Sequence, residues 1–537
     1  MGRWESVTTR RGVLRAGGMA ALALAGGTRA IRAWAQPRPG GTLPMAAFAE
    51  PDSWDPHKAS LIMYTSQLYS QLVEWDPVNP DRIVGDLAES WQVSDNGTVY
   101  TFKLHEHAKW SDGRPVTAED VVFSLTRMKE SGKPRATAWA VYAEGWEATG
   151  PATVRIKLKA PAAAFLPFLA VDYVKIMPKH VVGAGVDIER PENIVGSGPF
   201  KVSKWTKGDS YEAVRNPLYF KKGYPVLDGI RQFLIRDKST LIAAYKAERI
   251  LMQNSSFSGL SVQDHLALKE DLKGKFTVHV LGFPGSNAGI FLNVKRKPLD
   301  DPRVRKALHL ATDRQAMIKL FAADDVAVLG TPFPPDTWYG QPSKEAAKLP
   351  GYRQPKDADI AEAKRLLAEA GVPNGFKTSI LARRVFVYPD LATVWKQQMA
   401  RIGVDVEINA MESAAGLSAY SEGNFDSGVI ISAVLIDEPE AVIADAFRVG
   451  AVRNYAGWSN GEVERLVGLQ RAELNRARRS QILRQLEDEL LSWKNNHWIG
   501  LYWAAEQWVL HDRVRGFVPP RSGATTLKNE HYWLAQG

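Results

Sequence analysis

Two adjacent arginines and one close histidine pair are the side chains whose spacing most suggests chemistry. Arg383 and Arg384 fall within residues 379–385, which read as a strand. A guanidinium at a strand end can grip a carboxylate or phosphate through two parallel hydrogen bonds; the plainer alternative is a solvated surface pair. His105-Glu106-His107 follows a β-branched and aromatic run. On a strand, residues two apart share a face, and two imidazoles there can meet a metal. Spacing offers no third ligand, so no metal site is assigned and no cofactor is expected. The G-x-S-x-G elbow, the H-E-x-x-H helix and the phosphate-binding loop are all missing. Cysteine is absent too, which removes disulfides, thiolate metal sites and a Cys nucleophile. These residues favour binding over catalysis. Binding needs only a cleft, some convergent polar groups and two states that a ligand can bias.

The elements that would carry such a cleft are legible in places. Ser94-Asp95-Asn96-Gly97 is a turn, with Gly97 free to take positive φ, and Val99, Tyr100, Thr101, Phe102 and Leu104 form the strand after it. Ser111-Asp112-Gly113 turns again, and Thr117 with Asp120 makes a capping box for a helix. Asp301-Pro302 opens another helix, with Val304, Ala307, Leu308 and Ala311 on one apolar stripe. Residues 358–370 read as a helix stopped by Gly371. Residues 391–402 form one that ends at Gly403 before a strand at 404–408. Ser459 and Glu462 suggest a capping box for a helix to about Ala472, followed by a longer helix over 478–493. Residues 429–436 read as a buried strand. No internal repeat or low-complexity segment interrupts this alternation.

The chain's 537 residues imply two or three lobes. Its 45% hydrophobic and 24% charged content is that of a soluble globular protein, and no apolar run reaches the roughly 18 residues of a spanning helix. Thr9-Arg10-Arg11-Gly12-Val13-Leu14-Arg15 resembles a twin-arginine export signal. Ala33-Trp34-Ala35 supplies a small-x-small cleavage pattern before Gln36. Residues 1–35 carry +5 of the chain's +9, leaving +4 afterwards. With no basic stripe interleaved with aromatics, nucleic acid is not an expected partner.

The 87–128 segment, LAESWQVSDNGTVYTFKLHEHAKWSDGRPVTAEDVVFSLTRM, resembles the signature block of bacterial extracellular solute-binding protein family 5. Four further blocks follow in the family's order. They are Val195-Gly196-Ser197-Gly198-Pro199-Phe200 with Arg215-Asn216-Pro217; Phe291-Leu292-Asn293 with Asp301-Pro302-Arg303; residues 364–371; and Trp458-Ser459-Asn460. The resemblance implies an α/β, two-lobed periplasmic-binding-protein-like fold with a small extra domain. Residues 36–80, 190–285 and 500–537 would build one lobe, 81–189 the small domain, and 286–499 the opposing lobe. Hinge crossings are then expected near 283–292 and 498–503, where Gly282, Gly285 and Gly289 would absorb φ/ψ change.

The implied function is solute capture for an ABC importer. The solute would be peptide-like, opine-like or glycoside-like, anionic ones included. The expected partners are an ABC permease and ATPase in the inner membrane and the twin-arginine export machinery. The protein would be a monomer, cleaved after Ala35 into a Gram-negative periplasm and, lacking a Cys there, not a lipoprotein. An exported periplasmic enzyme and a receptor feeding a membrane sensor are the alternatives. Glu50 and Trp54 are expected beside the cleft, Trp54 touching ligand, as are Ser432, Val434 and Asp437; Arg383 or Arg384 would bind a carboxylate. Peptide-binding members carry an Asp at the position matching Leu435, so this chain departs from them there, with Asp437 as the nearest substitute.

Overall fold

A computed structural model describes residues 39–131, 134–253, 260–282, 284–323, 326–385, 387–434, 436–451, 453–492 and 497–535. Arg10, Arg11, Ala33, Ala35, Phe283, Leu435 and Trp493 lie outside them. The described chain carries three larger sheets, of seven, six and four strands.

The four-stranded sheet begins in the signature segment. Gly97 adopts φ +70° and its N–H bonds Ser94 O at 2.8 Å, which reverses Ala88–Val93 into Val99–Leu104. Tyr100, Phe102 and Leu104 alternate inward as period-two patterning requires. Thr117 and Asp120 exchange hydrogen bonds (Thr117 N to Asp120 Oδ2, 2.9 Å; Asp120 N to Thr117 Oγ1, 3.3 Å) and start the helix Ala118–Ser131. That strand ends at Leu104, so His105, Glu106 and His107 sit in a turn rather than on one strand face. Their two rings pack edge to face at 5.2 Å, and His107 Nε2 bonds Phe220 O.

The seven-stranded sheet centres on Thr42–Ala47, parallel to both Gly229–Leu234 and Met252–Gln253, and includes Phe276–Val280 and Gln507–His511. One apolar core serves both this sheet and the small one, joining Leu43, Met45 and Trp508 to Phe102, Trp110 and Trp139. The six-stranded sheet has its own core, around Trp395, Trp503 and Leu308. Here Lys377–Arg383 runs parallel to Asp405–Met411 and Ser427–Ala433, while Ser286–Leu292 and Trp498–Ala504 pair antiparallel. The boundary expected at residue 500 therefore falls inside a strand of the six-stranded sheet. The chain crosses to the other sheet at Ala505 and Glu506.

Several helix limits follow their caps. Asp301 accepts from Arg303 N ahead of Pro302–Ala311, and Gly371 and Gly403, at φ +83° and +80°, follow the helices Asp357–Glu369 and Tyr388–Ala400. The expected Ser459 cap is replaced by Asn460, which accepts from Glu462 N and Val463 N before Gly461–Ala472. Gly289 is not a hinge residue. It lies within a strand, where a Cβ would stand 2.6 Å from the Trp498 ring, so its role is packing.

On the helix Arg476–Leu491, Glu487 is almost wholly buried and accepts Gln341 N at 3.1 Å. Burial pushes its carboxyl up to about 8, with Arg484 only partly opposing. An unfolded Glu ionises near 4.5, so stability should be full below that pH and fall as pH rises through 8. Glu487→Gln should flatten this dependence and stabilise the protein by a few kcal/mol at pH 9, on the scale of roughly 1.4 kcal/mol per pKa unit. Urea unfolding at pH 5 and pH 9 reads it; equal losses in both proteins would refute it.

Candidate functional site

The two large sheets are joined through the ends of their strands. Val280 pairs with Gln507 at the rim of one, and Ser286 pairs with Ala504 and Ala433 at the rim of the other. The chain passes between those rims after Leu281–Gly282 and again at Ala505–Glu506, tied together by Leu281 N–H to Glu506 O at 2.9 Å. Because Ala47 and Leu234 pair on the first rim, and Arg383 and Met411 on the second, the carboxyl ends of the parallel strands face each other. Open α/β sheets bind ligands outside those ends.

On the six-stranded rim, Arg383 ends its strand. Its guanidinium donates to Ser413 Oγ at 3.0 Å and to Tyr388 OH at 3.3 Å, and stacks 5.1 Å above the Tyr388 ring. Tyr388 is in turn fixed by both backbone groups of Ile431. Arg383 Nε is buried with no hydrogen-bond partner. Arg384 is exposed, and its backbone N–H bonds Met411 O. Ser432 is buried and donates to Asp445 at 2.5 Å, while its strand neighbour Asn287 holds an unpartnered Oδ1. Val434 is buried, its N–H bonded to Gly285 O at 2.6 Å.

On the facing rim, Glu50 accepts Gly208 N at 2.6 Å and pairs with Arg236 at 3.2 Å. Trp54 is not at the cleft. It is 2% exposed, boxed by Tyr64, Trp205 and Tyr211 with ring centroids 5.4–6.1 Å away, and its N–H is held by Glu189. The Asp55-Pro56-His57 stretch beside it has a structural task. Asp55 and His57 both bond Arg127 of the helix Ala118–Ser131, with His57 Nδ1 accepting at 2.9 Å.

Asp437 turns away from the rim. Its Oδ2 takes both Arg521 Nε, at 2.9 Å, and Nη2. Burial raises the Asp437 carboxyl against the pull of Arg521, and Asp437 holds Arg521 above its usual range although burial opposes that. The guanidinium keeps its proton, and its two N–H groups on Asp437 Oδ2 favour the charged carboxylate, so the contact is an ion pair. The neighbouring acids are also engaged, Glu438 by Arg479 and Glu440 by Arg471 and Gln470. Beyond this loop lies an interlobe cavity of about 230 Å³ lined by Trp75, Tyr100, Trp338, Arg476, Arg479 and Arg521. The convergent strand ends make the rim, rather than this cavity, the candidate for solute. Sequence spacing gave no sign of Tyr388, Ser413 or Arg521, whose partners lie 5, 30 and 84 residues away, nor of Asn287, which meets Ser432 only across the sheet. Among the described residues no group of three or more His, Asp or Glu is placed to hold a metal.

The family model for bacterial extracellular solute-binding proteins, family 5 (middle region), matches residues 82–444, more than half the chain. Glutathione-binding protein GsiB of Escherichia coli K12 is 30% identical over 355 residues, 64% of this chain and 64% of that protein. The chain thus matches less than two thirds of that relative's length. Heme-binding protein A of Haemophilus influenzae is 27% identical over 487 residues, covering 84% of this chain and 85% of its own. The ABC transporter-associated periplasmic binding protein DppA of Helicobacter pylori, solved with the peptide STSA, superposes with a TM-score of 0.72 at 23% identity. It covers 93% of this chain and 99% of its own, a likeness of fold.

Proposed function

The chain belongs to the bacterial extracellular solute-binding proteins of family 5, and from that premise we propose that it captures a small solute and presents it to an ABC importer. The observation that carries this reading is the pair of facing rims joined by two short crossings, with the Arg383 guanidinium at one rim. The solute would lie between Glu50 on one side and Arg383, Arg384 and Ser432 on the other. No bond is made or broken; the protein works by a shift between open and closed states, biased by contacts that only the closed state makes. Moving such an equilibrium from 1:99 to 99:1 takes about 5.5 kcal/mol of differential affinity.

The proposal extends to the setting. The 1–35 segment would direct twin-arginine export and be cleaved after Ala35, and the mature monomer would work in the periplasm. Its partners would be an inner-membrane permease and a cytoplasmic ATPase. Relatives named for glutathione and heme, and a fold neighbour holding a peptide, set the range of solutes to try.

A thermal-shift screen across peptides, glutathione, opines, oligosaccharides and heme should find the solute, because binding to the folded state alone raises the melting temperature. Small-angle scattering with saturating solute should then give a smaller radius of gyration than without it. An unchanged radius would remove the closure mechanism, whatever the affinity.

A further inference from the structure

Contacts made by the protein itself join the two halves along one seam. At its inner end, Val434 and residues 436–438 are shared between them. Val434 packs in the core of the six-stranded half, while Ile436 packs in the core of the other half. Asp437 then reaches Arg521, whose chain segment is fixed to the seven-stranded half where Ala524 O accepts Asp172 N–H and Leu527 N–H bonds Asp172 Oδ2. At the outer end, Ala163 N–H donates to Arg471 O at 3.0 Å. There Leu474 also fills the notch over the Gly97 turn, where a Cβ on Gly97 would come within 2.7 Å of its Cδ1.

The cavity between these ends is charge-matched by the chain. Arg479 pairs with Glu438, and Arg521 with both Asp437 and, at 3.5 Å, Asp81. Arg476, the remaining cation of the lining, stacks on the Trp338 ring 4.9 Å from its centroid, beside Arg479 at 5.5 Å. A cavity already balanced in this way has little call for a ligand, and its walls come from both halves.

We propose that this seam is a latch: the protein's own side chains hold the halves together without solute, from the Asp437–Arg521 pair to the Leu474 notch. Opening would hydrate both charges of the pair, whereas loss of one partner leaves the other buried alone in the closed state. A broken pair therefore favours the open state. The latch sets how often the closed form is populated, and apparent affinity falls by that fraction for every solute alike. The effect on affinity rests on the solute capture proposed above, whereas the separation of the halves without solute is read on its own.

The absence of cysteine allows clean labelling. Val186→Cys and Leu320→Cys lie on exposed positions of opposite halves, at 41% and 57% exposure, and a spin-label pair there reports their separation in solute-free protein. Arg521→Met and Leu474→Glu should each shift the distance distribution to longer values, with the closed population falling about tenfold. Leu474 is half exposed, so its substitution tests the seam even if Arg521→Met lowers the melting temperature. A Leu474→Glu protein whose distribution is unchanged overturns the latch, as does an unchanged distribution in a normally melting Arg521→Met protein.

Discussion

Lys528→Met is expected to remove about 3–5 kcal/mol of folding stability, the cost of stranding a buried charge. Its ammonium lies 2.6 Å from Asp86, 2.8 Å from Glu74 and 3.9 Å from Glu530, all inside the core. Lys221 is the second ammonium of the cluster, 3.0 Å from Glu530 and 3.1 Å from Asp86, and Tyr219 donates its hydroxyl proton to Glu530. Three carboxylates share two ammoniums, and the mismatch falls on Glu74. Burial pushes its carboxyl up, with Asp86 adding to the shift, while the lysines outweigh burial at Asp86 and Glu530 and hold both low. Without Lys528, three carboxylates would face one cation in a dry site. Lys221→Met should cost less, because its side chain is 20% exposed and water can replace it in part. Urea unfolding measures both; a Lys528→Met loss below about 1 kcal/mol would show that the cluster is already largely protonated or wet.

This cluster also shows where sequence reasoning reaches its end. Residues 74, 86, 221, 528 and 530 are brought together by the fold, and no spacing announces them. What could be read in advance was local. The Gly97 turn, the Thr117–Asp120 box and the Asp301-Pro302 start all rest on hydrogen bonds between near neighbours, which a short window contains. The structure departs from the local signals where one signal fits two outcomes. Ser459 and Asn460 can both cap a helix, and Asn460 does. Gly289 fits either a hinge or a close approach, and the Trp498 ring decides it.

The site divides in the same way. The strand over 379–385 is readable from pattern and puts Arg383 and Arg384 at its end, whereas Glu50 is expected only from the family resemblance. The place of Trp54 was not readable, since an aromatic next to a cleft-like motif looks the same whether it stacks on a ligand or on Tyr64, Trp205 and Tyr211. The fate of Asp437 depended on Arg521, 84 residues on.

That pairing bears on which solutes bind. Peptides with free N-termini should bind no more tightly than their N-acetyl forms, because the acids at 437, 438 and 440 already have cationic partners. Asp437 is held by Arg521, Glu438 by Arg479 and Glu440 by Arg471, so an incoming ammonium would have to break a buried pair to gain one. On the six-stranded rim, Arg383 is held by hydroxyls, keeps an unpartnered Nε and stands next to exposed Arg384. A carboxylate or phosphate there would gain charge-assisted bonds worth about 1.5–3 kcal/mol each. Arg383→Ala should therefore weaken an anionic solute about 10- to 100-fold, a loss of about 1.4–2.7 kcal/mol, and leave a neutral analogue nearly unchanged. Isothermal calorimetry with matched pairs, free and N-acetylated, carboxylate and amide, separates the two ends of the solute. A free-amine peptide that binds tenfold more tightly than its acetylated form would refute the charge assignment of this rim, as would an anionic solute indifferent to Arg383→Ala.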